Sequence, residues 1–346
     1  MVRESILLVA LGVVMTLSVF GAYAGEKGPD NWPHWRGSLA NGYCPHGDPP
    51  TRWDEKTNVN IKWKTPLPGL GSATPIVWGD QIFVLTALDT GRKAEDHELP
   101  KIDPRFEKKI KQVTKYFQFL LLSLDRSTGK EQWRKVVTEV VPHEPHHGTH
   151  SYAAGSPVTD GRNLYFSFGS RGVYCYDLAG NMRWKRDFGP MYTTQSWGEA
   201  STPALHGDTV IVNWDHDAGS FIVALDAKTG ETRWKKERDE ITSWATPLIV
   251  EHGGKVQVIV NATKRVRSYD LATGDVLWEC GGQKFGIPIP IVFDGLAICM
   301  SGYPGSACFA IPLDARGDLT KSDKIAWKLD KGTPYCPSPL LMNGRL

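Results

Sequence analysis

The chain lacks a charge of either sign in excess. Its 40 Lys and Arg stand against 38 Asp and Glu, a net charge of +2. No basic run interleaved with aromatics appears, which excludes the electrostatic footprint of a nucleic-acid binder. Phosphate-cradling glycine loops, nucleophile elbows and paired C-x-x-C motifs are also missing, and no spacing supports a Ser-His-Asp set. These absences remove most enzyme classes that a sequence can announce. Cysteine is scarce. The six are Cys44, Cys175, Cys280, Cys299, Cys308 and Cys336, and sequence does not choose among their pairings. Cys299 and Cys308, which could face each other across a hairpin in "AICMSGYPGSACFAI", are the local disulfide candidate. Small buried thiols inside strands are the alternative.

A long uncharged stretch occurs only at the start. Arg3 precedes an apolar middle, Ile6 to Phe20, and then Ala22-Tyr23-Ala24. This order reads as a signal peptide, residues 1–24, cut after Ala24 and directing the chain to a periplasmic or extracellular place. A retained anchor is the alternative, since Ser5 to Gly25 carries no charge and is barely long enough to span a bilayer. No Cys follows the cut, so a lipid anchor on a new N-terminus is not expected. After cleavage no membrane span remains.

What the sequence does have is repetition. "ALDAKTGETRW" (224–234) recurs as "SLDRSTGKEQW" (123–133), "SYDLATGDVLW" (268–278) and, shortened, "CYDLAGNMRW" (175–184). Upstream of each string a Ser/Thr-Pro opens an apolar run, as in "TPIVWGDQIFVLT" (74–86) and "TPALHGDTVIVNW" (202–214). A Gly-bearing turn then leads to a second apolar run, the signature of a hairpin. Pro suits the first position of an edge strand because its missing N–H leaves no ladder bond unmade. The Asp folds its carboxylate onto the next turn, and Gly supplies a positive φ. Trp63, Trp133, Trp184, Trp234, Trp278 and Trp327 follow at intervals of 70, 51, 50, 44 and 49 residues. One large flat ring at a fixed place per unit is what face-to-face packing of sheets requires.

These patterns predict an all-β fold, a β-propeller of four-stranded antiparallel blades. Five complete blades fall at about 72–137, 155–188, 201–237, 244–282 and 287–330, with a partial sixth at 336–346. An extended segment, 25–59, precedes the propeller region, 60–346. Paired β-sandwiches are the alternative, and the regular Trp spacing argues against them. Residues 90–116 interrupt the first blade, and a solvated loop or extended hairpin is expected there, with a partner-binding role as the alternative. "NIKWKTPL" (60–67) has the Trp of a fourth strand without its Asp-Thr-Gly turn. It reads as the closing strand of a blade whose other strands come from the C-terminus.

The repeated string resembles the tryptophan-docking repeat of the pyrroloquinoline quinone (PQQ) propeller superfamily. That superfamily contains quinoprotein dehydrogenases and the propeller lipoprotein of the outer-membrane assembly machinery. The likeness runs from about Trp32, includes "NWPHWRGSLANGYC", and is greatest to exported PQQ-like repeat proteins. It implies a ring of seven or eight blades, and hence a chain truncated at its C-terminus. In the dehydrogenases two adjacent cysteines and a Trp face hold the quinone, with Ca²⁺ on hard oxygens. No two cysteines are adjacent here. What the resemblance leaves is Glu199, Asp215 and Asp217 as oxygen ligands and Trp197 or Trp244 as the stacking face.

From their places at strand ends, Trp197, Glu199, Asp215, His216 and Trp244 are expected near one mouth of the channel. His143, His146, His147 and His150 in "VPHEPHHGTHSY" are a candidate metal set, with a polar connecting loop as the alternative. The function expected is a non-catalytic exported scaffold that binds a protein or polysaccharide by its loops and needs no cofactor. The alternative is a PQQ- and Ca-dependent alcohol or sugar dehydrogenase.

Overall fold

The computed structural model describes residues 31–44 and 47–346. The reading of residues 1–24 as a signal peptide lies outside the described residues. Blade one consists of β1 (Ile76–Trp78), β2 (Gln81–Lys93), β3 (Lys115–Asp125) and β4 (Glu131–Val140). Blade two has β5 (Val158–Thr159), β6 (Asn163–Ser167), β7 (Val173–Asp177) and β8 (Met182–Arg186). Blade three has β9 (Ala204–His206), β10 (Thr209–Trp214), β11 (Ser220–Asp226) and β12 (Thr232–Arg238). Blade four has β13 (Leu248–His252), β14 (Lys255–Val260), β15 (Arg265–Asp270) and β16 (Val276–Gly281). Blade five has β17 (Ile291–Phe293), β18 (Leu296–Ser301), β19 (Ala307–Pro312) and β21 (Trp327–Leu329). Each is a sheet whose four strands follow chain order and pair antiparallel. In blade five the third-to-fourth connection carries β20 (Gly317–Asp318), which pairs in parallel with β16 of blade four.

The core lies between blades. Leu85 and Phe119 of blade one pack with Phe166 and Tyr174 of blade two. Tyr165 and Val173 meet Val212 and Trp214 of blade three, and Ile211 and Ala224 meet Val258 and Tyr269 of blade four. Strand alternation explains this, because odd and even residues of one strand face different neighbours.

The Trp series fastens these layers on their outer side. Trp184 Nε1 donates to Ala227 O at 2.9 Å and Trp234 Nε1 to Leu271 O at 2.8 Å. Each acceptor is the residue after the turn Asp of the following blade. A Cβ on Gly230 would lie 2.7 Å from the Trp184 ring, and one on Gly274 2.6 Å from Trp234. Gly is therefore required twice, for a φ of +74° or +73° and for the ring that docks on it. Trp63 docks in the same way on the turn of blade one, donating to Arg126 O at 3.0 Å. Residues 60–67 thus sit where the outer strand of a preceding blade would, although no strand forms there.

The last two tryptophans differ. Trp278 is fully buried under the β20 excursion with no partner for its Nε1 among the described residues, and Trp327 is 38% exposed.

The Ser/Thr of each Ser/Thr-Pro has a role that its sequence did not disclose. Thr74 N–H donates to Ser156 Oγ (2.8 Å), Ser156 N–H to Thr202 Oγ1 (2.9 Å) and Thr202 N–H to Thr246 Oγ1 (3.4 Å). These hydroxyls lace neighbouring inner strands together around the channel. Ile289 interrupts the series, and it resumes with Ile289 N–H to Ser338 Oγ at 3.1 Å.

Cys299 and Cys308 do not face each other. The β18–β19 register sets Cys308 opposite Met300, so the two thiols lie on opposite faces of the sheet. All six cysteines are free.

The alternation of strands gives the ring two unlike faces. One carries the tight turns between first and second strands, and Trp32 to Arg36 lies against it. Trp32 exchanges backbone bonds with Val77, and Pro33 O accepts from Thr159 N–H at 3.0 Å. The other carries the blade-to-blade connections and the loops between second and third strands. This connection face holds the candidate site.

Candidate functional site

Two carboxyls occupy the connections of blades one to three. Glu144, in the loop between blades one and two, is 3% exposed. It accepts from Thr193 Oγ1 at 2.5 Å and from Thr193 N–H at 3.2 Å. Glu199, in the next connection, accepts from Ser170 N–H at 2.8 Å and from the Ser170 hydroxyl. Ligating atoms of Glu144, Glu199 and His143 lie within 4.8 Å of one another. Burial pushes the Glu144 carboxyl up to about 8 against the stabilising Thr193 bonds, with Glu199 adding to the rise. Burial raises Glu199 as well. His143 is not free to ligate, since Arg171 donates to its Nδ1 (2.7 Å) and its Nε2 meets Met191 O at 2.5 Å. Burial, with Arg171 beside it, lowers this imidazole to about 3, so it is neutral.

The other three histidines do not converge on it. His146 Nδ1 meets His147 O, His147 Nδ1 meets the Thr149 hydroxyl, and His150 Nε2 meets Glu199 O. Among the described residues they form no common ligand set. Short loop-closing bonds use the ring nitrogens instead.

The rim candidates are brought together in part. Glu199, Asp215 and Trp244 line one cleft with Asn213 and Ser243. The Trp197 and Trp244 ring centroids are 6.0 Å apart, and Trp244 Nε1 donates to Gly198 O. Asp217 lies beside the cleft and is occupied by Thr242 Oγ1 (2.7 Å) and Thr194 Oγ1 (3.1 Å). His216 is buried and accepts from Tyr192 N–H on Nδ1.

Asp215 is held in place by partners from other strands. Arg238, at the end of β12, grips it with Nε–Oδ1 at 2.8 Å and Nη2–Oδ2 at 3.1 Å, both side chains fully buried. Ser243, Asn213 and, on the arginine, Tyr269 complete the network. A second buried pair, Glu240 with Arg267 at 2.8 Å, continues it into blade four.

Sequence reasoning missed Glu144, Arg171, Arg238 and Ser243. Glu144 stood inside the histidine-rich string but was passed over for its neighbours. Arg238 had one signal, a charged residue at the end of a strand.

These facts bear on a quinone. The cleft encloses about 20 Å³, room for roughly one water. Cys175, Cys280, Cys299 and Cys308 are buried in strands, so no disulfide floor lies beneath Trp244. Asp215 already serves Arg238. The residues present do not fit PQQ with its calcium.

The family model described as outer membrane protein assembly factor BamB matches residues 119–331. The chain belongs to this family of PQQ-like propellers. The crystal structure of BamB from Moraxella catarrhalis superposes with a TM-score of 0.51 at 16% identity, covering 81% of this chain and 69% of that one. A europium-containing methanol dehydrogenase gives 0.53 at 11% identity, covering 88% of this chain and 58% of that one. The chain thus spans little more than half of the dehydrogenase. At such identities both likenesses are likenesses of fold. No curated protein sequence matches the chain. Among the described residues no helix is long and apolar enough to cross a membrane.

Proposed function

We propose that this chain is a non-catalytic propeller scaffold that holds a protein partner through the loops of its connection face. The observation that carries the reading is the state of the face's acidic groups. Glu144, Glu199, Asp215 and Asp217 are each bound by neighbouring segments of the chain rather than presented to a substrate. They set the loops in shape, and loops on a rigid scaffold are where binding residues gather. The description of the matched family, an outer membrane protein assembly factor, favours a protein partner and a periplasmic or outer-membrane-associated place.

A dehydrogenase is the competing reading, and reconstitution separates the two. Purified protein incubated with PQQ and Ca²⁺ is expected to show no bound chromophore and no dye reduction with alcohols or sugars. Turnover that requires both additions would overturn the scaffold reading. Retention of soluble polysaccharides but no protein on immobilised chain would replace the partner class.

A further inference from the structure

The connection face carries two features that the acidic network leaves unused. The first is an arm. Residues 101–111 carry Lys101, Arg105, Lys108, Lys109 and Lys111 against Asp103 and Glu107, a net +3 where the whole chain has +2. A merely solvated loop would leave its apolar residues loose. Here Phe106 stacks flat on Tyr192, centroids 4.5 Å apart and planes 3° apart, and Asp103 N–H donates to Tyr192 OH at 2.8 Å. Ile110 is buried behind them. Arg105 pairs with Asp103, while the four lysines are exposed and make no ion pair among the described residues, Lys109 lying over the Phe106 ring at 5.9 Å.

The second feature is a strip of rings that begins five residues along the same connection. Trp197 and Trp244 lie 5.8 and 6.2 Å from Phe285, and Phe285 lies 6.2 Å from Tyr303, nearly parallel. Tyr303 is 53% exposed and meets Tyr335 at 5.2 Å. Phe285 is held at a φ of +48°, a conformation that costs a bulky residue energy and is kept where the surroundings impose it. Beside it Gln283 is 3% exposed with neither amide atom paired among the described residues. A buried amide without partners is expensive unless something supplies them.

We propose that an acidic, extended segment of a partner protein docks across this face, with carboxylates on the arm and apolar side chains on the strip. The proposal rests on the scaffold reading above and names its surface. The cations select the charge, which a neutral glycan would not need. Tyr303 is exposed and the Trp197 and Trp244 rings are half-buried, and Trp and Tyr are the side chains that dominate protein interfaces. The Gln283 amide, donor and acceptor together, matches a peptide group.

The test uses the whole chain and a short labelled peptide of Glu, Leu and Ser, followed by fluorescence anisotropy. The same peptide with Lys in place of Glu is the control. The Glu peptide should bind, weaken with added salt, and lose about tenfold in affinity to Lys108→Glu/Lys109→Glu. Tyr303→Ala should weaken it without changing its salt dependence. Both variants alter exposed side chains, and an unchanged melting temperature confirms their folding. Equal binding of the Glu and Lys peptides, or wild-type affinity in the charge-reversed variant, would overturn the proposal. Tighter binding of phosphatidylglycerol vesicles or polygalacturonate than of the peptide would overturn it too. If a partner is still captured by the charge-reversed protein, this inference falls and the scaffold reading stands.

Discussion

Replacing Trp234 by Ala tests the physics of blade docking. Trp234 is 9% exposed, lies against the Gly274 turn and donates to Leu271 O. A buried Trp removes roughly 150–250 Å² from water, an upper bound of about 4–6 kcal/mol at roughly 25 cal/mol per Å². Partial collapse of the site lowers this, and about 3–5 kcal/mol is the expected loss. That is a large share of the roughly 5–15 kcal/mol a folded domain has in all. Denaturant melts give the total, and hydrogen exchange shows where it falls. Protection should drop in β10 to β12 and β14 to β16 and hold in β2 and β3, because a repeat array transmits strain to nearest neighbours. Trp327→Ala is the internal control. That ring is 38% exposed, so its loss should stay within about 1 kcal/mol. Equal losses from the two substitutions, or unchanged exchange in blades three and four, would refute the docking account.

Gly274→Ala should cost more than an ordinary turn substitution, about 2 kcal/mol or above, since it adds left-handed strain to a clash with the Trp234 ring; Gly253→Ala, also at positive φ but with open space around it, should cost less in the same melts. Asp215→Ala strands the buried Arg238 guanidinium and should destabilise by about 3–5 kcal/mol, whereas Asp217→Ala, whose bonds are to hydroxyls and one backbone N–H, should cost clearly less. Folded Glu144 keeps its proton up to about pH 8 while the unfolded chain loses it near 4.5, so stability is fullest below the lower value and falls as pH rises between them. Glu144→Gln should flatten that decline in melting temperatures taken across the same range, and an unchanged slope would show that another group titrates.

The fold was legible because it is written several times over. Asp, Gly and Trp recur at fixed offsets, and each copy checks the others. The docking turn explains the offset, because Gly230 and Gly274 must touch rings contributed by the preceding blade. Trp327 and Trp278 read like the rest yet sit differently. Their surroundings depend on the β20 excursion and on neighbours that spacing does not encode. Cys299 and Cys308 looked paired across a hairpin, and a register offset of one residue set them on opposite faces.

The site was legible only in part. Asp215 follows the end of β10, while Trp197, Glu199 and Trp244 sit in the connections that lead into β9 and β13 rather than at strand ends; the repeat locates those connections. The partners come from elsewhere in the chain, Arg238 from the end of β12 and Ser243 from the connection after it, and only the pairing of strands within blade three and the path of that connection bring them to Asp215. The arm at 101–111 was unreadable for a related reason. Its composition is that of a solvated loop, and only the stacking of Phe106 on Tyr192, 86 residues away in sequence, makes it a fixed surface.

The measurement closest to the central claim is site-specific photocrosslinking in the living envelope. A photoreactive side chain would be placed in turn at Tyr303 and Lys109 on the connection face, and at His206 and Asp80 on the turn face. The scaffold account predicts a defined protein adduct from the connection face and none from the turn face. Adducts confined to the turn face, or none from either face alongside PQQ-dependent dye reduction, would contradict it.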